Sequence, residues 1–280
     1  MLSPAMVMRL VITPGRGGQL TTHNPQPTTL VLSLQIKTKP LDKQSVIFRD
    51  LGIIDYKTAW DYQENLLQAN VAVKSEARKM EFDIDPHSLS TKNYFLLCEH
   101  PPVYTLGKSG SMDNVLLTDE QLHERGIQFF RTNRGGDITF HGLQQIVGYP
   151  ILDLEKFYTD IGKYLRNLEE TVILTLAEYN IIAGRSVGET GVWIEPGIIG
   201  KERKICAIGV RCSRWITMHG FALNVNTDLD YFNNIIPCGI QNKQVTSMEK
   251  EMGGKLDYEE VKESIKRNFG KVFGATFIAD

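Results

Sequence analysis

The chain has 280 residues, of which 42% are apolar and 23% are charged, and its formal net charge is −2. This composition is typical of a globular protein with a core of normal size, and it argues against nucleic acid as the main partner. No run of 18 or more apolar residues occurs, so we predict no membrane span. The four cysteines form no CxxC pair, which argues against a disulfide framework and favours a reducing compartment with free thiols.

Residues 1–45 differ from the rest of the chain. They are rich in Thr, Pro, Gln and Gly, and they hold five Lys or Arg residues against one acid. We predict a flexible N-terminal extension over 1–45 and a single folded domain over 46–280. A mitochondrial targeting peptide is the alternative, because acidic residues are nearly absent, but the segment has only two arginines and no clear amphipathic helix.

The regular elements begin near Val46. Asp55 is placed to cap a long helix, and Thr118 with Gln121 forms a capping-box pattern for a short helix that Gly126 ends. Further helices are predicted over 160–178 and from Asp257 to about Phe269, and strands over 93–98, 127–132, 191–195, 204–210 and 215–226. Because helices and strands alternate without a βαβ period, we predict an α+β fold with a mixed, largely antiparallel sheet flanked by helices.

Three segments carry residue types suited to chemistry. The first is Arg134-Gly135-Gly136 followed by 137–142, where paired glycines let the backbone approach a ligand closely. The plain alternative is a Gly-Gly turn between strands. Neither GxxxxGK[ST] nor GxGxxG is present, so the segment is not a P-loop or a dinucleotide fingerprint.

The second segment is 203–209, where Lys204 stands at the start of an apolar strand. An ammonium that is partly buried beside a thiol favours the thiolate. The alternative is an exposed lysine in the charged turn 201–204.

The third segment is 236–239, in which Pro237 and Gly239 place Cys238 in a tight, non-helical loop that a substrate can reach. The alternative is a small buried thiol, the usual state of a lone cysteine. A metal site formed by Cys206, Cys212 and His219 matches no common zinc spacing.

Taken together, these segments resemble the lipoyl(octanoyl) transferase family of the biotin/lipoate ligase superfamily. The matching pieces, in order, are RGGDITFHG (134–142), KICAIG (204–209), HGFALNVN (219–226) and PCG (237–239), with weaker matches at 55–63, 99–108 and 188–194. One departure is plain: the family usually has HGPGQ after the loop, whereas this chain has Leu143 and Gln144 in place of Pro-Gly. The resemblance implies a biotin/lipoate protein ligase-like fold.

The resemblance also implies roles for individual residues. Cys238 matches the cysteine that carries the acyl thioester, and Lys204 matches the lysine held to lower the pKa of that cysteine. Lys204 as the base of the reaction is the alternative, and both roles stay open. Residues implied to bind substrate are Arg134, Gly135, Gly136, Asp137, Ile138, Thr139, Phe140, His141, Ala207, Ile208, Gly209, Gly220, Phe221 and Ala222. Candidates for the walls of an apolar acyl tunnel are Phe140, Ile205, Ile208, Phe221 and Leu223, with core packing as the alternative for each.

The implied activity is transfer of an octanoyl group from octanoyl-acyl carrier protein to a lysine of a lipoyl domain, without metal or cofactor. The implied acceptors are the lipoyl domains of 2-oxoacid dehydrogenase subunits and the glycine cleavage H protein. We expect a monomer in the cytoplasm, with the mitochondrial matrix as the alternative location. Two other functions stay open: an ATP-dependent lipoate or biotin ligase, which does not need Cys238, and a non-catalytic module that binds an acyl carrier or a lipoyl domain.

Overall fold

The computed structural model describes residues 43–79, 84–236 and 244–279. The predicted extension over 1–45 therefore lies almost wholly outside the described residues and stays a prediction. The strands are β1 Gln44–Ile53, β2 Tyr94–Glu99, β3 Val103–Leu106, β4 Gln128–Arg131, β5 Ile138–His141, β6 Gln145–Ile151, β7 Ala183–Gly184, β8 Val192–Ile194, β9 Arg203–Ser213, β10 Ile216–Asn224, β11 Gln244–Val245 and β12 Ala275–Ile278.

Each predicted helix is present, and its start is explained by a capping side chain. The helices are α1 Tyr56–Lys79, α2 Asp119–Glu124, α3 Ile161–Glu178, α4 Met248–Met252 and α5 Tyr258–Phe273, with 3-10 turns at Pro86–Ser88, Met112–Asn114, Leu154–Lys156 and Leu229–Asn234. Thr118 and Gln121 form both bonds of a capping box at α2, and Asp55 accepts from the Thr58 amide at 3.0 Å. The last helix runs past the predicted Phe269 and through Gly270, and it ends at Gly274, whose φ of +61° is that of a left-handed cap.

Most strands belong to one nine-stranded sheet. Its order is β12-β1-β2-β6-β10-β9-β8-β7, and β11 pairs with β9. Antiparallel pairs join β2 through β6, β10, β9 and β8 to β7, whereas β1 pairs in parallel with both β12 and β2. A second sheet has the order β4-β3-β5. The predicted mixed, largely antiparallel sheet is confirmed.

The large sheet is covered by helices on both faces, which explains why β2 is a continuous apolar run rather than an alternating one. Phe95 and Leu97 pack in the core on the face of α3 and α5. Their neighbours Leu96 and Cys98 pack on the opposite face, with Leu67 of α1. No helix among the described residues is both long and apolar enough to cross a membrane.

Strands β9 and β10 form a hairpin with a two-residue turn. Arg214 and Trp215 occupy the turn with φ of +51° and +66°. Two successive positive φ values are those of a type I′ turn, whose twist matches that of the flanking strands. The register therefore starts at Ile216 opposite Ser213 and continues to Leu223 opposite Cys206.

Candidate active site

A cavity of about 230 Å³ lies where residues of the two sheets meet. Its walls come from the N-terminal turn of α1, the 134–141 segment, and strands β6, β9 and β10. Thirteen of the predicted site residues line it: Lys204, Arg134, Gly136, Asp137, Ile138, Thr139, His141, Ala207, Ile208, Gly209, Gly220, Phe221 and Ala222.

Two predicted substrate-binding residues lie outside the lining. Phe140 is 1% exposed and stacks on the ring of Tyr231, with centroids 4.6 Å apart, in the core of the small sheet. Gly135 lies in the loop backbone, where its amide donates to the Val210 carbonyl at 2.9 Å. The tunnel candidates Ile205 and Leu223 are fully buried core residues and do not line the cavity either.

The loop around Gly135 is held by the buried side chain of Arg134. Its guanidinium donates to the backbone carbonyl of Thr105 at 2.5 Å, to the Thr105 hydroxyl at 2.9 Å and to the Gly135 carbonyl at 3.0 Å. A guanidinium has several donors in a fixed planar arrangement, so one side chain can fix two segments of backbone. Arg134 is 7% exposed, and its guanidinium binds backbone and hydroxyl groups of the protein itself.

Glycines let this loop approach its neighbours. A Cβ atom on Gly209 would lie 2.7 Å from the Gly135 carbonyl oxygen, and one on Gly107 would collide with the Gly136 carbonyl oxygen. Gly136 itself has φ +88°, a conformation that residues with a side chain rarely adopt. These contacts explain the glycines on both sides of the loop.

The two predicted substrate stretches on β9 and β10 are partners across the hairpin. Ala207 lies opposite Ala222, Ile208 opposite Phe221, and Gly209 opposite Gly220. The small residues leave room above the strands, and Ile208 and Phe221 supply apolar surface. The two stretches therefore form a single wall of the cavity.

Lys204 lies on the same strand, at the end of this wall. It is half-buried and pairs with Trp193 of β8 on one side and Val245 of β11 on the other. Its ammonium lies 4.6 Å from the centre of the buried Trp193 ring, within the range of a cation–π contact. The lysine is thus directed along the cavity wall and is not a fully exposed member of the charged turn.

Cys238 falls within 237–243, outside the described residues. The chain borders the cavity on both sides of this segment, since Phe232 and Val245 both line it. Ile236 donates its amide to Asn114 at 2.9 Å, and Gln244 and Val245 pair with β9. The two ends of the segment are therefore fixed beside the cavity.

The other three cysteines are poor nucleophiles. Burial raises the pKa of Cys98, Cys206 and Cys212, so each is held as the neutral thiol. Cys206 borders the cavity, yet it is 0% exposed. Over the ranges that the structure describes, no group of three or more His, Cys, Asp or Glu side chains is placed to hold a metal ion.

Three histidines near the cavity are kept neutral by burial. Burial lowers the pKa of His219 to about 3 and that of His100 to about 4, and it holds the pKa of His141 well below its ordinary value. The positive charge of Arg134 also lowers the pKa of His219 and His141. His219 contacts the Asn133 side chain at 2.7 Å, and its φ is +57°.

Several polar residues of the cavity were missed by sequence reasoning. The most buried are Tyr56, Gln145, Tyr149 and Asn224. Asn224 belongs to the HGFALNVN piece and Tyr56 to the weaker match at 55–63, so both lay within recognised segments without being singled out. Gln145 ends the altered HGLQQ piece and keeps the glutamine with which the family's HGPGQ ends.

The altered turn after the loop has a conformation of its own. Gln144 has φ +61°, and its amide donates to the Glu99 carboxylate at 2.5 Å. Its carbonyl accepts from the Asn226 amide at 3.2 Å and from the Thr227 hydroxyl at 3.0 Å. Leu143 is 48% exposed, and neither it nor Gln144 lines the cavity.

A family model and curated relatives match the chain over most of its length. Residues 55–270 match the lipoyl protein ligase A/B catalytic domain. The chain is 58% identical to an octanoyltransferase of Flavobacterium psychrophilum, over 84% of this chain and 99% of the relative. It is 50% identical to an octanoyltransferase of Cytophaga hutchinsonii, over 82% of this chain and 93% of the relative.

Solved structures show the same fold. A bipartite lipoate protein ligase from Thermoplasma acidophilum superposes with a TM-score of 0.59 at 18% identity, covering 86% of this chain and 87% of the neighbour. A lipoate-protein ligase A solved with ATP gives a TM-score of 0.59 at 15% identity, covering 85% of this chain and 88% of the neighbour. The predicted ligase-like fold and acyltransferase class are confirmed. The chain belongs to the lipoyl protein ligase A/B catalytic domain family.

Proposed function

We propose that the chain transfers an octanoyl group from octanoyl-acyl carrier protein to a specific lysine of a lipoyl domain through a thioester on Cys238. The observation that carries the proposal is the cavity itself. It brings together Lys204, the 134–141 segment and the paired 207–209 and 220–222 stretches, and both flanks of the Cys238 segment border it. The names of the curated relatives support the octanoyl group, and their bacterial origin supports a cytoplasmic location.

The proposed reaction has two half-reactions. The Cys238 thiolate attacks the carbonyl carbon of the donor thioester, and the carrier leaves as a thiolate that takes up a proton. The amine of the acceptor lysine then attacks the Cys238 thioester, forms an amide, loses a proton and releases Cys238. Exchange between thioesters is nearly balanced in free energy, whereas the amide is more stable than the thioester, so no ATP is consumed.

Lys204 is proposed to act in both half-reactions. A free thiol is mostly protonated at neutral pH, and a nearby ammonium favours the thiolate that attacks the donor. In the second half-reaction the acceptor amine must lose a proton, and a neutral lysine at the same position would accept it. The cation–π contact with Trp193 keeps the Lys204 side chain along the cavity wall for either role.

The apolar part of the cavity is suited to an alkyl chain. Ile208, Phe221 and Val147 supply apolar surface, and the glycines of β9 and β10 leave space beside them. The carbonyl oxygen of the thioester needs donors where negative charge develops. The Gly135 amide already donates to the Val210 carbonyl, so the candidates for that role are the backbone amides of Gly136 and of 238–239.

Intact-mass measurement after mixing with octanoyl-acyl carrier protein tests the thioester. We expect the mass to rise by one octanoyl group in the wild-type chain and in Cys212→Ser, and not in Cys238→Ser. The transfer to a lipoyl domain should proceed without ATP. Full activity of Cys238→Ser together with a requirement for ATP would identify a ligase and overturn the proposal.

A second measurement tests Lys204. We expect Lys204→Ala to slow alkylation of Cys238 by iodoacetamide at neutral pH, because the charge that favours the thiolate is lost. Lys201 lies three residues earlier in the same charged turn and is exposed, so Lys201→Ala is the matched control and should alkylate at the wild-type rate. Equal alkylation rates in all three proteins would remove the proposed influence of Lys204.

A further inference from the structure

A row of hydrogen-bonded side chains runs from the Arg134 guanidinium to the backbone carbonyl of Lys204. All of its intermediate members are buried, and none is more than 6% exposed. They come from β3 and β5 of the small sheet, from β6 and β10 of the large sheet, and from the residue after β11, so the row crosses the boundary between the two sheets. We call it the polar row, and its intermediate members are Thr105, His141, Gln145, Asn224 and Thr246.

The first half of the polar row lies in the small sheet. The Arg134 guanidinium donates to the Thr105 hydroxyl at 2.9 Å. That hydroxyl lies 3.4 Å from Nε2 of His141, a long contact. Nδ1 of His141 lies 2.9 Å from Oε1 of Gln145, the first member in the large sheet. The imidazole ring of His141 therefore links the Thr105 hydroxyl of β3 to Gln145 of β6.

The second half runs from β6 across β10 to the backbone of β9. Nε2 of Gln145 donates to Oδ1 of Asn224 at 2.8 Å, and Nδ2 of Asn224 donates to the Thr246 carbonyl at 2.9 Å. The Thr246 amide donates to the Lys204 carbonyl at 3.0 Å. Thr246 directly follows β11, the strand at which the chain re-enters the described structure after the Cys238 segment.

The donor and acceptor of each hydrogen bond in the polar row can be assigned, because some of its groups can only accept or only donate. Backbone carbonyls only accept, so the Asn224 amide nitrogen must face Thr246. Nε2 of Gln145 also donates to the Phe140 carbonyl at 3.1 Å, so its oxygen must face His141. Because burial keeps His141 neutral, its single proton is on Nδ1, and the lone pair of Nε2 faces Thr105.

All donors in the row then point away from Arg134. Aligned hydrogen bonds polarise one another in a low-dielectric interior, so each bond strengthens its neighbours, and a break at one member is felt along the row. His141, Gln145 and Asn224 also line the cavity, so this support lies directly behind the proposed acyl site.

We propose that Gln145 and Asn224 are positioning residues of the transfer reaction, fixing the distance between the 134–141 loop and the backbone of Lys204. This role rests on the proposed function, because it concerns the alignment of the groups that handle the thioester. In the polar row, Gln145 and Asn224 bond to other groups of the protein and not to the reacting atoms. They act by holding the loop in one sheet and the lysine-bearing strand in the other.

Asn224→Asp tests this role, with Asn226→Asp as the matched control. Aspartate keeps the size of asparagine and replaces a donor with an acceptor, so in Asn224→Asp an oxygen faces the Thr246 carbonyl. Asn226 follows the same strand and donates to Gln144 at 2.9 Å and to the Leu256 carbonyl at 3.0 Å, away from the cavity. Both variants lose a partly or fully buried donor, so both should unfold at a lower temperature.

We expect Asn224→Asp to lower kcat by about tenfold or more, with KM for the acyl donor within about twofold of wild type. Asn226→Asp should leave kcat within about twofold. Equal kcat losses in the two variants, or none in Asn224→Asp, would overturn the positioning role. Absence of transfer by the wild-type chain would instead overturn the proposed function, and this role with it.

The tautomer of His141 gives a readout that does not depend on activity. In ¹⁵N-histidine-labelled protein, assigned with a His141→Gln variant, we expect a neutral ring that is protonated on Nδ1. Gln145→Ala removes the acceptor that fixes this tautomer, so the Nε2-protonated form should appear. A ring protonated on Nε2 in the wild-type chain would contradict the direction of the row and overturn the inference.

Discussion

Replacement of Gly209 by alanine is expected to displace the 134–141 segment, which is proposed to bind the acyl group. The new Cβ would lie 2.7 Å from the Gly135 carbonyl oxygen and 3.1 Å from Cδ of Arg134. Ordinary contact begins at 3.4 Å, so the loop must retreat by roughly 0.7 Å, at a cost of about 1–3 kcal/mol for overpacking. The retreat also strains the 2.9 Å bond between the Gly135 amide and the Val210 carbonyl.

A displacement of this size in a positioning segment should lower kcat/KM for octanoyl transfer by about 10- to 100-fold. The assay is transfer from octanoyl-acyl carrier protein to a lipoyl domain, with thermal unfolding measured in parallel. Gly254→Ala is the control, because a Cβ there meets nothing within 4 Å and its φ is not positive. Equal activity and equal stability of Gly209→Ala and Gly254→Ala would refute the reasoning that the close approach at Gly209 is needed for transfer.

Three further predictions concern stability and thiol reactivity. Lys74→Met leaves the fully buried Asp153 carboxylate without its 2.7 Å partner and should cost about 3–5 kcal/mol in urea unfolding, whereas Lys57→Met, in an exposed pair on the same helix, should cost about 1 kcal/mol or less. The buried histidines take up a proton near pH 6.5 only in the unfolded chain, so the free energy of unfolding should fall as pH decreases from about 6.5 towards 4. His219→Gln should make the free energy of unfolding depend less steeply on pH over this range. A free energy of unfolding that does not change with pH would refute this. Cys206 should be alkylated only in denaturant, and labelling of the native protein at this residue would show that burial does not protect it.

Most of the fold was predictable because its local signals agree with its tertiary structure. The caps at Asp55, Thr118, Asp160 and Asp257 are satisfied within a few residues of sequence, so helix starts could be read directly. The pairing of β1 with β12 could not be predicted, because it joins the first and last described strands and the sequence of neither strand indicates its partner.

The candidate site was likewise predicted only in part from the sequence. Lys204 and the stretches at 207–209 and 220–222 were found from contiguous motifs, and the structure places them on one cavity wall. Phe140 lies between Thr139 and His141, which line the cavity, but its ring faces the other way and stacks on Tyr231, because neighbouring residues of a strand face opposite ways. The side chains of Gln145 and Asn224 are hydrogen-bonded although they lie 79 residues apart in sequence, and no local sequence pattern indicates such a contact.

The two-residue turn at Arg214 and Trp215 has a consequence well beyond its own position. A slip of one residue in the β9–β10 hairpin would send every side chain of the displaced strand to the opposite face and would end the pairing of Ala207 with Ala222 and of Gly209 with Gly220. The proposed acyl site thus depends on one register, and that register is set at a turn that does not border the cavity. Insertion of a single residue in this turn should reduce transfer activity more than many substitutions beside the substrate. The length of the turn is therefore constrained, although the turn does not border the cavity.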